Sequence, residues 1–271
     1  FLEMKNILAI MDSKFLKIWF FPHCDISEIN EVSKEIEDNE YDYVLLPFKS
    51  GLPDPILKSI FVFNNTKKIG CYVAIPGYAV SAEYMVMMNK TIIDAFPDRN
   101  FMLNVIDGGI EEDLNKFNVN RDNVKNINEN FVKYIKNNSN LKMSFSGISD
   151  KTIDNVDKYG EYQYIQFQDL NKINKNLYNK LILRIIICAR ENEEDANLYL
   201  NKGLEEIKNE SFFSQEVYDR LVGNLIVGSY ESVAKKIIEL KDLGIAGVIV
   251  SDLALVEHDR FNVHKAMKLI D

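Results

Sequence analysis

Runs that are apolar almost without a break alternate along this chain with stretches whose apolar residues recur every three to four positions. The runs are "LKIWFF" (16–21), "YDYVLL" (41–46), "KKIGCYVAI" (67–75), "FMLNVI" (101–106), "KMSFSG" (142–147), "YQYIQF" (162–167), "LILRIIICA" (181–189) and "GVIVS" (247–251). Near-continuous apolar strands are buried on both faces, which is the habit of parallel sheets. Between them, "DISEINEVSKEIEDN" carries Ile26, Ile29, Val32 and Ile36 at helical spacing. "SAEYMVMMNKTIIDAF" and "SDKTIDNVDKYG" read as further helices. "LIVGSYESVAKKIIELKDLGIAGVIVSD" reads as glycine, helix, glycine, strand. Its stripe is Val233, Ile237, Leu240 and Leu243, with Ser229 as N-cap and Gly244 at the C′ position. Strand and helix alternating through eight units predict a (β/α)8 TIM barrel of the α/β class. An open doubly wound sheet is the rival, because strand number alone does not require closure.

The totals narrow the partners. The chain has 271 residues, 46% of them hydrophobic, enough for one large core. No proline- or glycine-rich linker interrupts it, so a single domain over 1–271 is expected. A net charge of -9 offers no basic surface to nucleic acid. No apolar run reaches the length of a membrane span. Three scattered cysteines (Cys24, Cys71, Cys188) predict reduced thiols in a cytoplasmic protein. Three histidines (His23, His258, His264) are too few and too scattered for a metal centre, so no metal is expected. The chain opens on Phe1, consistent with a processed end or a piece of something longer, and "KNILAIMD" is too poorly flanked for a signal peptide. The asparagine-rich stretch 115–140 reads as a solvated helix flanked by loops, or as an interaction segment.

The landmarks stand in a familiar order. The chain resembles the luciferase-like flavin monooxygenases, and within them the alkanesulfonate monooxygenase branch. "LKIWFFPHCD" is similar to that branch's first strand and turn, and "EYDYVLLP" to its second strand. "VAIPGYAVSAEYMVMMNKTIIDAFPDRNFMLNVIDGG" is similar to the third strand through a fourth ending in Gly-Gly. "FSGISDKTI" resembles the turn after the fifth strand, and "LRIIICARENEEDA" the seventh strand with its arginine. "LVEHDRF" resembles the segment beyond the eighth strand. The resemblance runs collinearly through most of the chain and implies a luciferase-like (β/α)8 barrel.

Barrel enzymes work at the C-terminal ends of their strands. That rule selects Asn104, Asp107, Gly108 and Gly109 after the fourth strand, and Ser146, Gly147 and Ser149 after the fifth. The resemblance implies that Gly147 and Ser149 hold a flavin phosphate at a helix N-terminus; a plain helix cap is the other reading of Ser149. It implies that His23, beside Trp19, Phe21 and Cys24, lines the flavin pocket, although a structural histidine fits the same pattern. Arg184, a charge inside an apolar strand, needs a partner or a cavity, and the resemblance points it into the site. Lys49, after the second strand, can meet an anion or simply be solvated.

The departures matter as well. Leu52, Ile186 and Leu253 stand where the alkanesulfonate enzymes carry a cysteine, a histidine and a tyrosine. Asp107 replaces a threonine, and Val124 a tyrosine. The segment between the seventh strand and the last helix is shorter than the one that carries those relatives' lid. Sulfonate specificity therefore does not carry over. The resemblance implies an oxidoreductase using reduced FMN from a separate flavin reductase, with dioxygen and a small organic substrate. A deazaflavin is the variant cofactor. The alternative is a non-catalytic barrel that binds flavin or supports an active partner. Homo- or hetero-dimers are expected through a helix such as "EYMVMMNKTII".

Overall fold

The computed structural model describes residues 14–21, 26–106, 108, 111–209, 214–253 and 259–270. Within them the chain divides into two compact units, one of residues 18–164 and one of residues 14–17 and 165–270.

The larger unit runs β1 (Leu16–Phe20), α1 (Ile26–Asp38), β2 (Tyr43–Leu46), α2 (Pro55–Asn65), β3 (Gly70–Pro76), α3 (Ala82–Ala95), β4 (Phe101–Ile106), α4 (Glu111–Lys116), α5 (Arg121–Asn138), β5 (Lys142–Ser146), α6 (Asp150–Tyr159) and β6 (Tyr162–Gln166). Each strand pairs in parallel with the next, in chain order. Burial of β2 and β3 is complete along their length, which explains why these runs lack polar alternation. Register separates the two faces. Trp19, Val44 and Cys71 share one row, and the Cys71 thiol meets the Ser59 carbonyl of α2 at 3.8 Å. That face packs on helices. Trp19 stands edge-on to Tyr41 at 5.6 Å, turned away from the opposite face and from any pocket there. The other face carries Phe20, Leu45, Tyr72, Asn104, Ser144 and Tyr162.

The helices obey their sequence signals. Ser81 and Ser149 cap α3 and α6 by accepting the N–H of Tyr84 and Thr152. Asp54 caps α2 with two N–H groups and Pro55 opens it, a helix the apolar periodicity did not reveal. The asparagine-rich stretch forms α5, whose buried stripe is Val124, Asn128, Phe131, Val132 and Ile135. Burying each such aliphatic side chain contributes roughly 1.5–3 kcal/mol, enough to hold a helix otherwise covered in polar residues.

The smaller unit runs β7 (Leu181–Arg190), α7 (Glu193–Asn209), α8 (Gln215–Gly223), β8 (Leu225–Ser229), α9 (Tyr230–Asp242), β9 (Gly247–Asp252) and α10 (Arg260–Met267). β7 pairs in parallel with β9 through Ile182–Ile187 and with β8 through Ile186–Arg190. Ser229 caps α9, and Gly244 lies just past its end at φ +86°. The short strand β8 was not expected. "LIVGS" is only five residues long and runs straight into a helix cap, so periodicity had nothing to grip. β1–β7 and β9 are the eight expected strands, and the fold is a (β/α)8 barrel. Among the described residues, no helix is long and apolar enough to cross a membrane.

Candidate functional site

Polar side chains collect on the helix-free face of β3, β4 and β5. Register sets Asn104 beside Ser144, and the Asn104 carbonyl accepts from the Ser144 hydroxyl at 3.2 Å. The Asn104 amide and the Ser146 hydroxyl meet at 2.8–3.0 Å. Ser144 is hydrogen-bonded in turn to the Tyr72 hydroxyl of β3. Tyr72 and Ser144 are fully buried and Asn104 nearly so, while Ser146 is half-buried at the end of its strand. The result is a chain of neutral hydrogen bonds from the buried Tyr72 to the C-terminal edge. Burial pushes the Tyr72 hydroxyl far above its ordinary range, so it stays protonated. Tyr43, on the same face, is pushed up to about 12 by burial, with Tyr162, Asp42 and Glu161 adding to it. Among the described residues, this face therefore offers hydroxyls and an amide.

The chain turns sharply where β5 ends. Gly147 sits at φ +117°, a backbone conformation a side chain would strain. Its N–H donates to the Tyr164 carbonyl at 3.0 Å, and its carbonyl accepts from the buried Gln163 amide at 2.8 Å. Ser149 comes next as the N-cap of α6, sharing a hydrogen bond with the Thr152 hydroxyl at 2.9 Å. Gly147 and Ser149 are both exposed. The Ser149 hydroxyl thus does cap the helix, as the plainer reading held. A turn at a helix start also leaves the first N–H groups without intrahelical partners, facing outward.

The end of β4 is held by a residue the sequence did not single out. Asn128 of α5 accepts the Gly77 N–H at 2.9 Å and donates to the Ile106 carbonyl at 3.1 Å. Any side chain at 77 would place its Cβ 2.6 Å from the Asn128 oxygen. Asn128 thereby joins the turn after β3 to the end of β4. Its signal was its place on the apolar stripe of α5, where a polar residue needs a partner.

The expected site residues are not all brought together. Asn104, Gly147 and Ser149 lie together at the ends of β4 and β5. Gly108 lies beyond β4 at φ +139°, half-buried, with open space where a side chain would be. Asp107 and His23 lie outside the described residues. Arg184 lies in the smaller unit. Its guanidinium donates to the Ile185 carbonyl at 2.6 Å, the Ile249 carbonyl at 3.4 Å and the Ser251 hydroxyl at 2.8 Å. Arg190 pairs with Asp259 and stacks over Tyr199 at 3.6 Å. Leu253 is buried, Ile186 half-buried and Leu52 38% exposed; none of the three supplies an acid or base. Among the described residues, no cluster of His, Cys, Asp and Glu could hold a metal.

No protein-family profile matches the chain, and no curated protein matches it. Solved structures do. An EDTA monooxygenase from Chelativorans sp. BNC1 superposes with a TM-score of 0.78 at 10% identity, over 95% of this chain and 93% of its own. The oxygenating constituent of 3,6-diketocamphane monooxygenase from Pseudomonas putida, a type II Baeyer-Villiger monooxygenase in complex with FMN, superposes with a TM-score of 0.75 at 12% identity, over 95% and 96%. An F420-dependent secondary alcohol dehydrogenase, in complex with an F420-acetone adduct, superposes with a TM-score of 0.71 at 12% identity, over 95% and 100%. At such identities the likeness is one of fold, and that fold is the (β/α)8 barrel the sequence pointed to.

Proposed function

We propose that the protein is a flavin-dependent monooxygenase that uses reduced FMN and dioxygen on a small organic substrate. The observation that carries this reading is the hydrogen-bonded Asn104–Ser146 pair beside the glycine turn at Gly147, in a fold shared with an FMN-bound monooxygenase. The residues suit the group. A flavin has a flat ring edged with amide-like donors and acceptors and a phosphate on a flexible tail. Asn104 and Ser146 form a fixed neutral edge for the ring, and burial of their inner partners leaves them few alternative orientations. The turn at Gly147 leads through Ser149 into the N-terminus of α6, which favours a phosphate. Arg184, His23, Asp107 and Gly108 remain in this reading as ring or substrate contacts.

When bound, reduced flavin supplies the electrons that activate dioxygen, and a deazaflavin would supply a hydride instead. The chain's own part is orientation and dryness. Tyr72 and Ser144, both protonated and fully buried, hold Asn104 so that its amide faces one way. The F420-dependent neighbour keeps the deazaflavin in play as the second cofactor. A separate reductase would deliver reduced FMN, in the cytoplasm. The exposed Tyr84, Met87 and Ile93 of α3 would supply the contact face of a dimer.

The test is an anaerobic titration of the protein into reduced FMN and, in parallel, into reduced F420. It should be read from the cofactor's own spectrum, because Trp19 packs among helices. Saturable binding of FMN at roughly micromolar concentration supports the reading. Preference for F420 moves it to hydride transfer, and binding of neither overturns it.

A further inference from the structure

A cavity of about 280 Å³ opens between the loop after β2 and the end of α4. Phe48 and Phe117 form its aromatic walls, their rings 5.8 Å apart and tilted by 48°, and Leu52 adds an exposed aliphatic edge. Tyr78 backs Phe117 at 5.7 Å and steadies that ring. Phe117 is 38% exposed, so part of this aromatic surface faces water.

Charge around the cavity is uneven. The Asp54 carboxylate already accepts the N–H groups of Ile56 and Leu57 at 2.8 Å each, as the cap of α2. Lys116 is held by Glu112 at 2.6 Å and by the Ser50 hydroxyl at 3.2 Å. Lys49 makes no hydrogen bond or ion pair among the described residues, although Glu112 senses its charge. One cation on the cavity wall is thus left without a close counter-ion, beside two aromatic rings.

We infer that this cavity binds a small aromatic monoanion, a ring bearing one carboxylate or comparable acidic group, with Lys49 on the acid and Phe48 and Phe117 against the ring. The volume is at the small end of ligand sites, which suits a single ring. A lysine reads an acidic group as a point charge, so the recognition is for charge plus flat apolar body. The inference extends the proposed function by naming a substrate class. It also stands without it, because nothing in the cavity depends on a flavin.

Benzoate is the probe, with acetate as the anion without a ring and benzyl alcohol as the ring without a charge. Binding to the full chain is monitored by ligand-observed NMR, without cofactor and again with reduced FMN. Benzoate should bind more tightly than both controls. Lys49→Ala should weaken it about threefold to fivefold, as for one exposed ion pair, and Phe117→Ala about tenfold. Both positions are partly exposed, and circular dichroism checks that both variants fold. The inference is overturned if benzoate binds no better than acetate, if benzyl alcohol matches it, if Lys49→Ala binds as the parent does, or if no benzoate binds at roughly 10 mM. The cofactor-free arm separates the two proposals: benzoate binding with these dependences stands even where no flavin binds.

Discussion

The ends of β4 and β5 and the paired segment of β7 and β9 each carry polar side chains among buried strands, and they satisfy them in opposite ways. At β4 and β5 neutral side chains satisfy one another: Tyr72 with Ser144, Ser144 with Asn104, Asn104 with Ser146. At β7 and β9 a cation reaches backbone as well as side chain: Arg184 donates to the Ile185 and Ile249 carbonyls and to Ser251. In the first arrangement, removing one member strands its neighbours. In the second, the carbonyls belong to paired strands and Ser251 keeps a hydrogen bond to the Asp252 carbonyl at 3.0 Å, so these three partners are not stranded. A buried neutral network fixes geometry tightly, and an arginine on carbonyls leaves room to rearrange.

The largest test of that contrast is Asn128→Leu. It leaves the Gly77 N–H and the Ile106 carbonyl unsatisfied and should lower stability by about 3 kcal/mol, at 1–3 per orphaned group, read from the urea midpoint. A change under about 1 kcal/mol would mean that water replaces the asparagine.

The second test is pH. His264, on α10 packed against β7 and β9, is lowered to about 4 by burial, with Arg260 and Lys268 adding to it. It is neutral in the fold and has its ordinary value of 6.5 when unfolded. Above that value it makes no pH-dependent contribution. As pH falls from 6.5 towards 4 the unfolded chain takes up a proton that the fold refuses. Stability should then decline by on the order of 2–3 kcal/mol. His264→Gln should flatten that limb of the urea-midpoint profile, and an unchanged slope would assign it to carboxylates.

The direct comparison comes third. Asn104→Leu should destabilise by about 2 kcal/mol and Arg184→Met by about 1 kcal/mol. The reverse order in urea melts would break the contrast. The smallest effect belongs to the exposed pair of Glu129 and Lys133 on α5. Glu129→Gln should leave the urea midpoint nearly unchanged, and less changed again in high salt.

These two regions were unequally legible in the sequence. Arg184 announced itself, because one charge inside "LILRIIICA" breaks a continuous apolar run. The eight barrel strands were visible for the same reason, as buried strands carry a contrast that survives in one dimension. Asn104, Ser146, Gly147 and Ser149 were selected as candidates by the rule that strand ends carry the chemistry. Tyr72 and Ser144 were not, since single tyrosines and serines in strands are common and their pairing spans 72 positions. β8 and α2 were missed because short or uniformly apolar segments have little period to read. The cavity at Phe48 and Phe117 joins segments far apart in sequence, and no local pattern predicts such a meeting.

The most direct measurement is the affinity of reduced FMN for the parent protein and for Asn104→Ala, taken anaerobically from the flavin spectrum with folding checked by circular dichroism. If the neutral cluster at β4 and β5 holds the ring, the parent binds saturably and the variant binds about tenfold more weakly, the loss of one well-placed hydrogen bond. Equal affinity in a folded variant would remove the cluster from the cofactor site and contradict the account.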